Sequence, residues 1–557
     1  MQKNMMVFTL LSVMTFVGWT WYMHKFHPTP LAHPVTQSEG AATTSPGSSV
    51  SPVNAVAASG GKKAADKKSQ ASLKEQTVKI EMGNVEAVLS SVGARIISWK
   101  LLPYKEHKGS PEQVQLIPEK ASRSDFGALE FSGGTDLSAE HWRLETSEPR
   151  VMADGSREIV FSTHVAGSPL LVRKTFTFDS AEFIARVRLD YVNEGRTDLK
   201  VGRSFMLWGP GLGQLDRSQQ GGAAASGVVR LEKSIERERP SKEDKVFEYS
   251  APFWVAQKNH YFVAAMIPEG SALAEAQTRR HRDNTLTMAL GPGEMTLKAG
   301  ETRTMKLRLY AGPQIYEKLE TLDVHLEKVI QFMGWDWLRW LNPLLCVPML
   351  RVMRWFYHIT GNWGVAIILL TALVRAILFY PSQKSMVSMR KMQTKMAAMK
   401  PRLESLKLTY KDEPQKLNAE MMRLYKEYGV NPLGGCLPML AQIPVFFALY
   451  GTLMAAFEIR GAPFFWKWDD LSGPDPTYIF ALVMGASMFL QQKMAPTSSA
   501  TMSDDQAQMQ KMMMYMMPVM FTGMAIFLKW PMGLLLYWSV SNLFGVGQQW
   551  YVNKTVK

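Results

Sequence analysis

Cysteine is nearly absent: the 557 residues hold two, Cys346 and Cys436. That excludes a disulfide framework and a thiolate metal centre. Histidines do not fill the gap. His107, His141, His164, His260 and His281 fall in separate segments without metal-ligand spacing. There is no phosphate loop and no G-x-S-x-G elbow. Nothing in the sequence calls for a cofactor, a metal or an enzyme's nucleophile. Paired acids for sugar chemistry leave no mark in sequence, so that reading stays open for the polar middle of the chain.

The C-terminal part lacks charge over long runs. Several stretches of about 18 residues are almost free of it, which a soluble protein does not carry. The formal net charge is +14, from 63 basic and 49 acidic residues. Such a balance suits nucleic acid, anionic lipid or the positive-inside bias of a membrane protein. The densest basic stretch lies between two apolar runs. That favours membrane lipid as the partner, and specific nucleic-acid binding is not expected.

At the N-terminus Lys3 precedes an uncharged run over 5–23. It ends in Trp19-Thr20-Trp21-Tyr22, too bulky for a cleavage site, so residues 1–23 are expected to stay as a transmembrane anchor. Residues 24–76 are rich in Ser, Ala, Thr, Pro, Gly and Lys. They bury too little apolar surface to offset ordering, and read as a flexible linker. From 77 to 313 the period is two. Residues 172–178 and 183–192 alternate, with Phe176 and Phe178 opposed to Arg186 and Arg188, and turns such as Gly291-Pro292-Gly293 separate the runs. This predicts a large antiparallel β domain, a sandwich.

Over 314–333 the period becomes helical, with Ile315, Leu319, Leu322, Leu326, Val329 and Ile330 on one face; Trp335, Trp337 and Trp340 follow. Residues 314–353 therefore read as amphipathic interfacial helices, either at head-group depth or packed on the β domain. Five further spans are expected over 354–380, 433–457, 477–493, 511–529 and 532–552. A loop over 458–476 would face one side and a loop over 494–510 the other. The segment 381–432 carries Lys384, Arg390, Lys391, Lys395, Lys400, Arg402, Lys407, Lys411, Lys416, Arg423 and Lys426 against five acids. It is expected in the cytoplasm, as a helical hairpin. Both termini are then cytoplasmic, and the β domain lies outside the inner membrane.

Three features of the core bear on function. Arg375 is a lone charge in an apolar run, costing at least ~2.5–3.5 kcal/mol at mid-bilayer. Two readings stand: it snorkels past Pro381, or it lines a wet pocket with Thr371, Gln442, Ser539, Ser541 and Asn542. Two of the spans read as only 16–17 residues long, short enough to favour local thinning. Met386, Met389, Met392, Met396 and Met399 recur at three- and four-residue spacing on the hairpin. They either pack it or offer a soft apolar face to varied partners.

Several motifs then converge. Gly361-Asn362-Trp363-Gly364, the run with Arg375, and Asn431-Pro432-Leu433-Gly434-Gly435-Cys436 are three. Gln442-Ile443-Pro444-Val445-Phe446 and Pro531-Met532-Gly533-Leu534-Leu535-Leu536-Tyr537 with Ser541-Asn542 are two more. Together they resemble the bacterial YidC insertase family, over nearly the whole chain and most specifically in the helical core. The resemblance implies an α+β membrane protein: signal anchor, periplasmic β supersandwich, and five-helix core with a cytoplasmic hairpin. It implies a hydrophilic groove whose positive charge is Arg375, lined by Thr371 and Gln442. It also implies an apolar slide built from Ile443, Pro444, Phe447, Tyr537 and Trp538. Relatives often carry a second tyrosine where this chain has Trp538, so a hydroxyl there is lost and an aromatic contact kept. The implied partners are nascent membrane proteins, the Sec translocon, the ribosome and targeting factors. Two rivals differ in what they require. A solute transporter should show repeated halves with matching broken helices, and the five core spans show no such repeat. A membrane-anchored carbohydrate enzyme should bring acids together in the β domain.

Overall fold

The computed structural model describes residues 74–106, 109–118, 125–132, 135–146, 148–179, 183–213, 225–270, 274–332, 340–410, 413–429, 437–494 and 504–555. The chain divides into two units. One is Met1–Gln76 with Arg217–Gly221, and all but residues 74–76 of it lie outside the described residues, as do the expected anchor and linker. The other, Thr77–Asp216 with Gly222–Lys557, holds the β domain and the helical region.

Alternation builds the β domain. In the strand Leu170–Phe178, Val172, Phe176 and Phe178 are buried, whereas Arg186 and Arg188 of the adjacent Ile184–Asn193 face solvent. These two strands pair antiparallel at the centre of a ten-stranded sheet, and Thr302–Pro313 pairs on the other side of Ile184–Asn193. A five-stranded sheet, in the order Lys245–Ser250, Ala274–Arg280, Leu286–Pro292, Ser204–Trp208, Leu129–Phe131, faces it. Two buried hydrogen bonds join the layers: Gln257 donates to Leu286 O at 2.7 Å, and the Tyr191 and Ser204 hydroxyls meet at 2.7 Å. A four-stranded sheet closes one end. From it, Trp99 donates to Ala311 O and meets Trp208 edge-on at 6.2 Å. The coarse expectation of a large antiparallel β domain followed by a helical region holds.

Lys174 lies fully buried in this core. Its ammonium donates to Gly127 O at 2.6 Å and Ala94 O at 3.2 Å, with the Trp142 ring at 4.9 Å. Burial pushes its pKa down to about 7, and that of Lys258 likewise to about 7. A depressed lysine binds fewer protons folded than unfolded between those values and 10.5. Stability is therefore highest above 10.5 and declines as pH falls through 7.

The helical period over 314–333 is realised in two pieces, not one helix. A short helix covers Tyr316–Glu320 and a single tight turn covers Leu326–Val329, with Asp323 and His325 at positive φ between them. The cause is competition for backbone carbonyls. Trp254 and Arg230 donate to Val324 O, Arg237 to Lys328 O, and Lys258 to Val329 O. The apolar face itself is as expected: Leu319, Leu322, Leu326, Val329 and Ile330 are buried. This stretch packs on the β domain. Trp335 and Trp337 lie outside the described residues, and Trp340 is 57% exposed.

The helical region begins with a wide turn, Asn342–Cys346, running into α1, Val347–Thr360. The single span expected over 354–380 is corrected here. Gly361, at φ +65°, ends α1, and Asn362 caps the next helix, α2 (Trp363–Ile377), by accepting from Val365 N at 3.1 Å. After Leu378 the chain continues as α3, Phe379–Thr409, bent by 55° from α2. Pro381 accounts for the bend. It has no N–H for the carbonyl of Ile377, and its ring crowds that carbonyl. Then come α4 (Pro414–Glu427), α5 (Leu437–Ala455), α6 (Ile479–Met494), α7 (Asp504–Phe527) and α8 (Met532–Thr555). Of the two short spans, α6 keeps 16 residues, but α7 has 24 and starts before the expected 511. Among the described residues no single helix is long and apolar enough to cross a membrane, whereas the bent pair of Trp363–Ile377 and Phe379–Ser388 together is.

The helices turn large apolar side chains outward: Ile377 on α2, Leu482 on α6, Val519 and Phe527 on α7, Leu543 on α8. In water such a surface would aggregate, and in lipid it is the resting state. In the hairpin, buried Met399 packs on Leu424, with Leu403, Leu406 and Tyr428 around them.

Urea unfolding of the β domain, followed by tryptophan fluorescence in the solubilised full chain, should show a midpoint that falls as pH drops from about 10 to about 7. Lys174→Met should flatten that slope. An unchanged slope in this variant would remove Lys174 as its source.

Candidate functional site

The lone charge of the apolar run meets the last helix. Arg375, in the final turn of α2, donates through Nε and Nη2 to the Ser541 hydroxyl of α8, at 3.1 and 2.6 Å. Tyr537 is one turn before Ser541 and 3% exposed; it lies within electrostatic reach of the guanidinium. The partner is a neutral hydroxyl, and among the described residues no carboxylate pairs with the guanidinium. A guanidinium has five N–H donors, and one hydroxyl takes two of them. Among the described residues, Ser541 is the side chain that orients this charge.

Not every expected groove residue shares this spot. Thr371, one turn before Arg375, is 1% exposed and donates to Ile367 O of its own helix at 2.7 Å. Ser539 is buried and donates to Leu535 O at 2.8 Å. Asn542 donates to Ser487 of α6 at 3.1 Å. The reason is helical geometry. At 100° per residue, Ser541 stands near Tyr537, whereas Ser539 and Asn542 fall on another face. So α8 has two polar faces, one toward Arg375 and one toward α6. On the second, Gly545 admits Gln491 so closely that a Cβ would sit 2.4 Å from its Nε2. The side chain of Gln442, and the whole Asn431-to-Cys436 motif, lie outside the described residues.

The expected slide residues do converge. Ile443 is 39% exposed on α5, and Pro444 and Phe447 are half-buried beside it. Phe446 links them to α8: its ring is 5.2 Å from Trp538 and 6.5 Å from Tyr537. Trp538 in turn stacks on Trp530 at 5.7 Å and meets Phe521 of α7 at 5.3 Å. A continuous aromatic band thus joins α5, α7 and α8 next to the Arg375–Ser541 contact. Phe446 was quoted in the motif but not singled out. Its place between α5 and α8 depends on a tertiary contact that the sequence does not reveal.

The methionine stripe divides. Met399 is buried within the hairpin, Met386 is half-buried, and the side chains of Met389, Met392 and Met396 lie outside the described residues.

Outside the expected site, a second polar cluster fixes α1. Arg354 is 8% exposed by side chain and pairs with both Glu458 and Glu317. Near it, Arg460 donates to Glu106 O at 2.8 Å and Lys105 O at 3.1 Å, and Phe457 meets Tyr104 edge-on at 5.1 Å. Removed from water there, His260 has its pKa driven down to about 4. These contacts tie the β domain to the segment after α5.

Ser541→Ala, but not Asn542→Ala, should speed exchange of the Arg375 Nε–H in arginine-labelled protein followed by NMR. Equal exchange in both would mean that Ser541 does not hold the guanidinium.

Known proteins match along the same division. Residues 77–347 match the family model described as YidC periplasmic domain, and 355–557 the one described as 60Kd inner membrane protein. A membrane protein insertase YidC of Pelobacter propionicus is 33% identical over 579 residues, covering 100% of each chain. One of Geobacter metallireducens is 32% identical over 567 residues, covering 100% of this chain and 99% of its own. A solved active YidC insertase aligns with 86% of this chain and 93% of its own, at 16% identity and a TM-score of 0.34, too weak a likeness to argue from. On the full-length matches, the chain belongs to the family of YidC membrane protein insertases.

Proposed function

We propose that the chain inserts newly made membrane proteins into the inner membrane by way of a hydrophilic intramembrane groove centred on Arg375. The observation that carries this is the guanidinium's placement: inside an apolar helix and turned onto a neutral hydroxyl, with no carboxylate paired to it among the described residues. A buried cation without a counter-ion attracts one, and a client's acidic tail supplies it.

Three terms draw the client in. Its apolar helix leaves water along the aromatic band of α5 and α8, at ~25 cal/mol per Å² of apolar surface. Its polar tail keeps hydrogen-bond partners in the groove that bare hydrocarbon would deny it. Its acidic groups feel Arg375 more strongly than in water, because the local dielectric is lower. Release follows when the helix moves into lipid and the membrane potential pulls the negative tail outward. None of these steps breaks a covalent bond.

The orientation belongs to the same reading. Five core helices span the membrane, the basic hairpin of α3 and α4 faces the cytoplasm, and the β domain faces the periplasm. In that frame the hairpin is where the ribosome and targeting factors would dock, and the flank of the core is where the Sec translocon would. Neither rival has support: the full-length relatives carry the insertase name, and the transporter's repeats are missing from the sequence.

Arg375→Glu or Arg375→Ala should reduce insertion of small single-span clients with acidic tails by tenfold or more, while Arg375→Lys retains most of it. The measurement is protease protection of the client tail in reconstituted vesicles. Full insertion by Arg375→Glu would remove the electrostatic step. Deleting most of the β domain while keeping residues 314–353 should leave such insertion in place. Its complete loss in a stably expressed deletion would contradict the assignment of insertion to the helical core.

A further inference from the structure

The bend between α2 and α3 lies three residues beyond Arg375, so whatever fixes the bend also aims the guanidinium. Pro381 makes the bend but does not set its direction. A helix with a missing hydrogen bond swings until something else holds it. In this chain the holder comes from α8. The Gln548 amide donates through Nε2 to Phe379 O at 3.1 Å, while its Oε1 accepts from the Ser382 hydroxyl at 3.3 Å. Both partners belong to the first turn after the bend. Gln548 is 8% exposed, and both ends of its amide are used.

The contact belongs to a row. On α8, Ser541, Gln548 and Val552 are spaced by seven and four residues, and so share one face. Ser541 takes Arg375 before the bend, Gln548 takes Phe379 and Ser382 just after it, and Val552 O accepts from Arg390 a further two turns along α3, at 3.1 Å. The last helix thus fastens both arms of the bent pair. A helix with one leucine in place of Gln548 would lose both bonds on the far arm.

We propose that Gln548 is a positioning residue for insertion: by fixing the bend at Leu378 it holds the Arg375 guanidinium where client tails meet it. This rests on the groove reading given above. The role is distinct from that of Ser541, which touches the guanidinium itself. It also makes the hairpin root and the intramembrane charge one mechanical unit, since α3 cannot swing without breaking the Gln548 bonds.

The test is the charge preference of insertion. Clients with acidic and neutral tails are compared in vesicles containing the full-length protein as wild type, Gln548→Leu, Arg375→Ala, and the double variant. Wild type should favour the acidic tail. Gln548→Leu should lower that preference at least threefold, and should change it no further when added to Arg375→Ala. Gln548→Glu, which keeps the acceptor for Ser382 but loses the donor to Phe379 O, should fall between wild type and leucine. A Gln548→Leu protein that keeps the wild-type preference overturns the inference. So does one whose loss is equally large in the Arg375→Ala background, since Gln548 would then act without Arg375. If Arg375→Ala itself leaves the preference unchanged, the groove reading fails first and this inference with it. Circular dichroism and detergent-extracted yield, compared across the five proteins, separate a folding defect from a positioning one.

Discussion

One cation inside an apolar helix sets the terms for the rest of the core. An arginine at that depth is tolerated only where neighbouring groups or water take its donors. Here the taker is Ser541 on α8, so α8 must lie alongside α2 with that face turned inward. Once α8 is so placed, its other polar face must be met as well, and Asn542 meets Ser487 on α6. The packing order of three helices follows from satisfying polar groups that lipid would leave bare.

The same constraint joins structure to work. A carboxylate beside Arg375 would neutralise the guanidinium. The described partner is a neutral hydroxyl, which orients the charge without cancelling it. Beside this contact runs the aromatic band from Phe446 through Trp538 to Trp530 and Phe521, broad and apolar. In the mechanism proposed above, a client that is apolar for most of its length and acidic at one end would meet both surfaces at once. The β domain, with its two facing sheets and a buried lysine, has a different economy. It meets the core through Arg460 and Phe457.

Much of this was legible from residue order. Alternation at 172–178 and 183–192 marked the strands, and the outward arginines are where period two puts them. The lone Arg375 and the polar interruptions of the last helix marked the site. What was not legible depends on contacts between distant segments. Helical period over 314–333 identified the buried face but not the break, because Trp254, Arg230 and Arg237 claim the carbonyls from strands some 70–90 residues earlier. Ser539, Ser541 and Asn542 read together as one lining with Arg375, although they fall on two faces of α8. Counting 100° per residue separates Ser539 and Asn542 from Ser541. The span expected to end at residue 380 runs on past Pro381 as the bent continuation α3.

On the proposed reading, the Arg375–Ser541 contact borders a space reached by water from the cytoplasmic side. The most direct measurement is thiol labelling of Ser541→Cys, in a protein whose Cys346 and Cys436 are replaced by serine, with a maleimide that cannot cross lipid. Labelling in inside-out vesicles and none in right-side-out vesicles is the predicted result. A thiol that stays unreactive from both sides in a folded, membrane-inserted protein would mean the helices close dry around the guanidinium, and the account would fail.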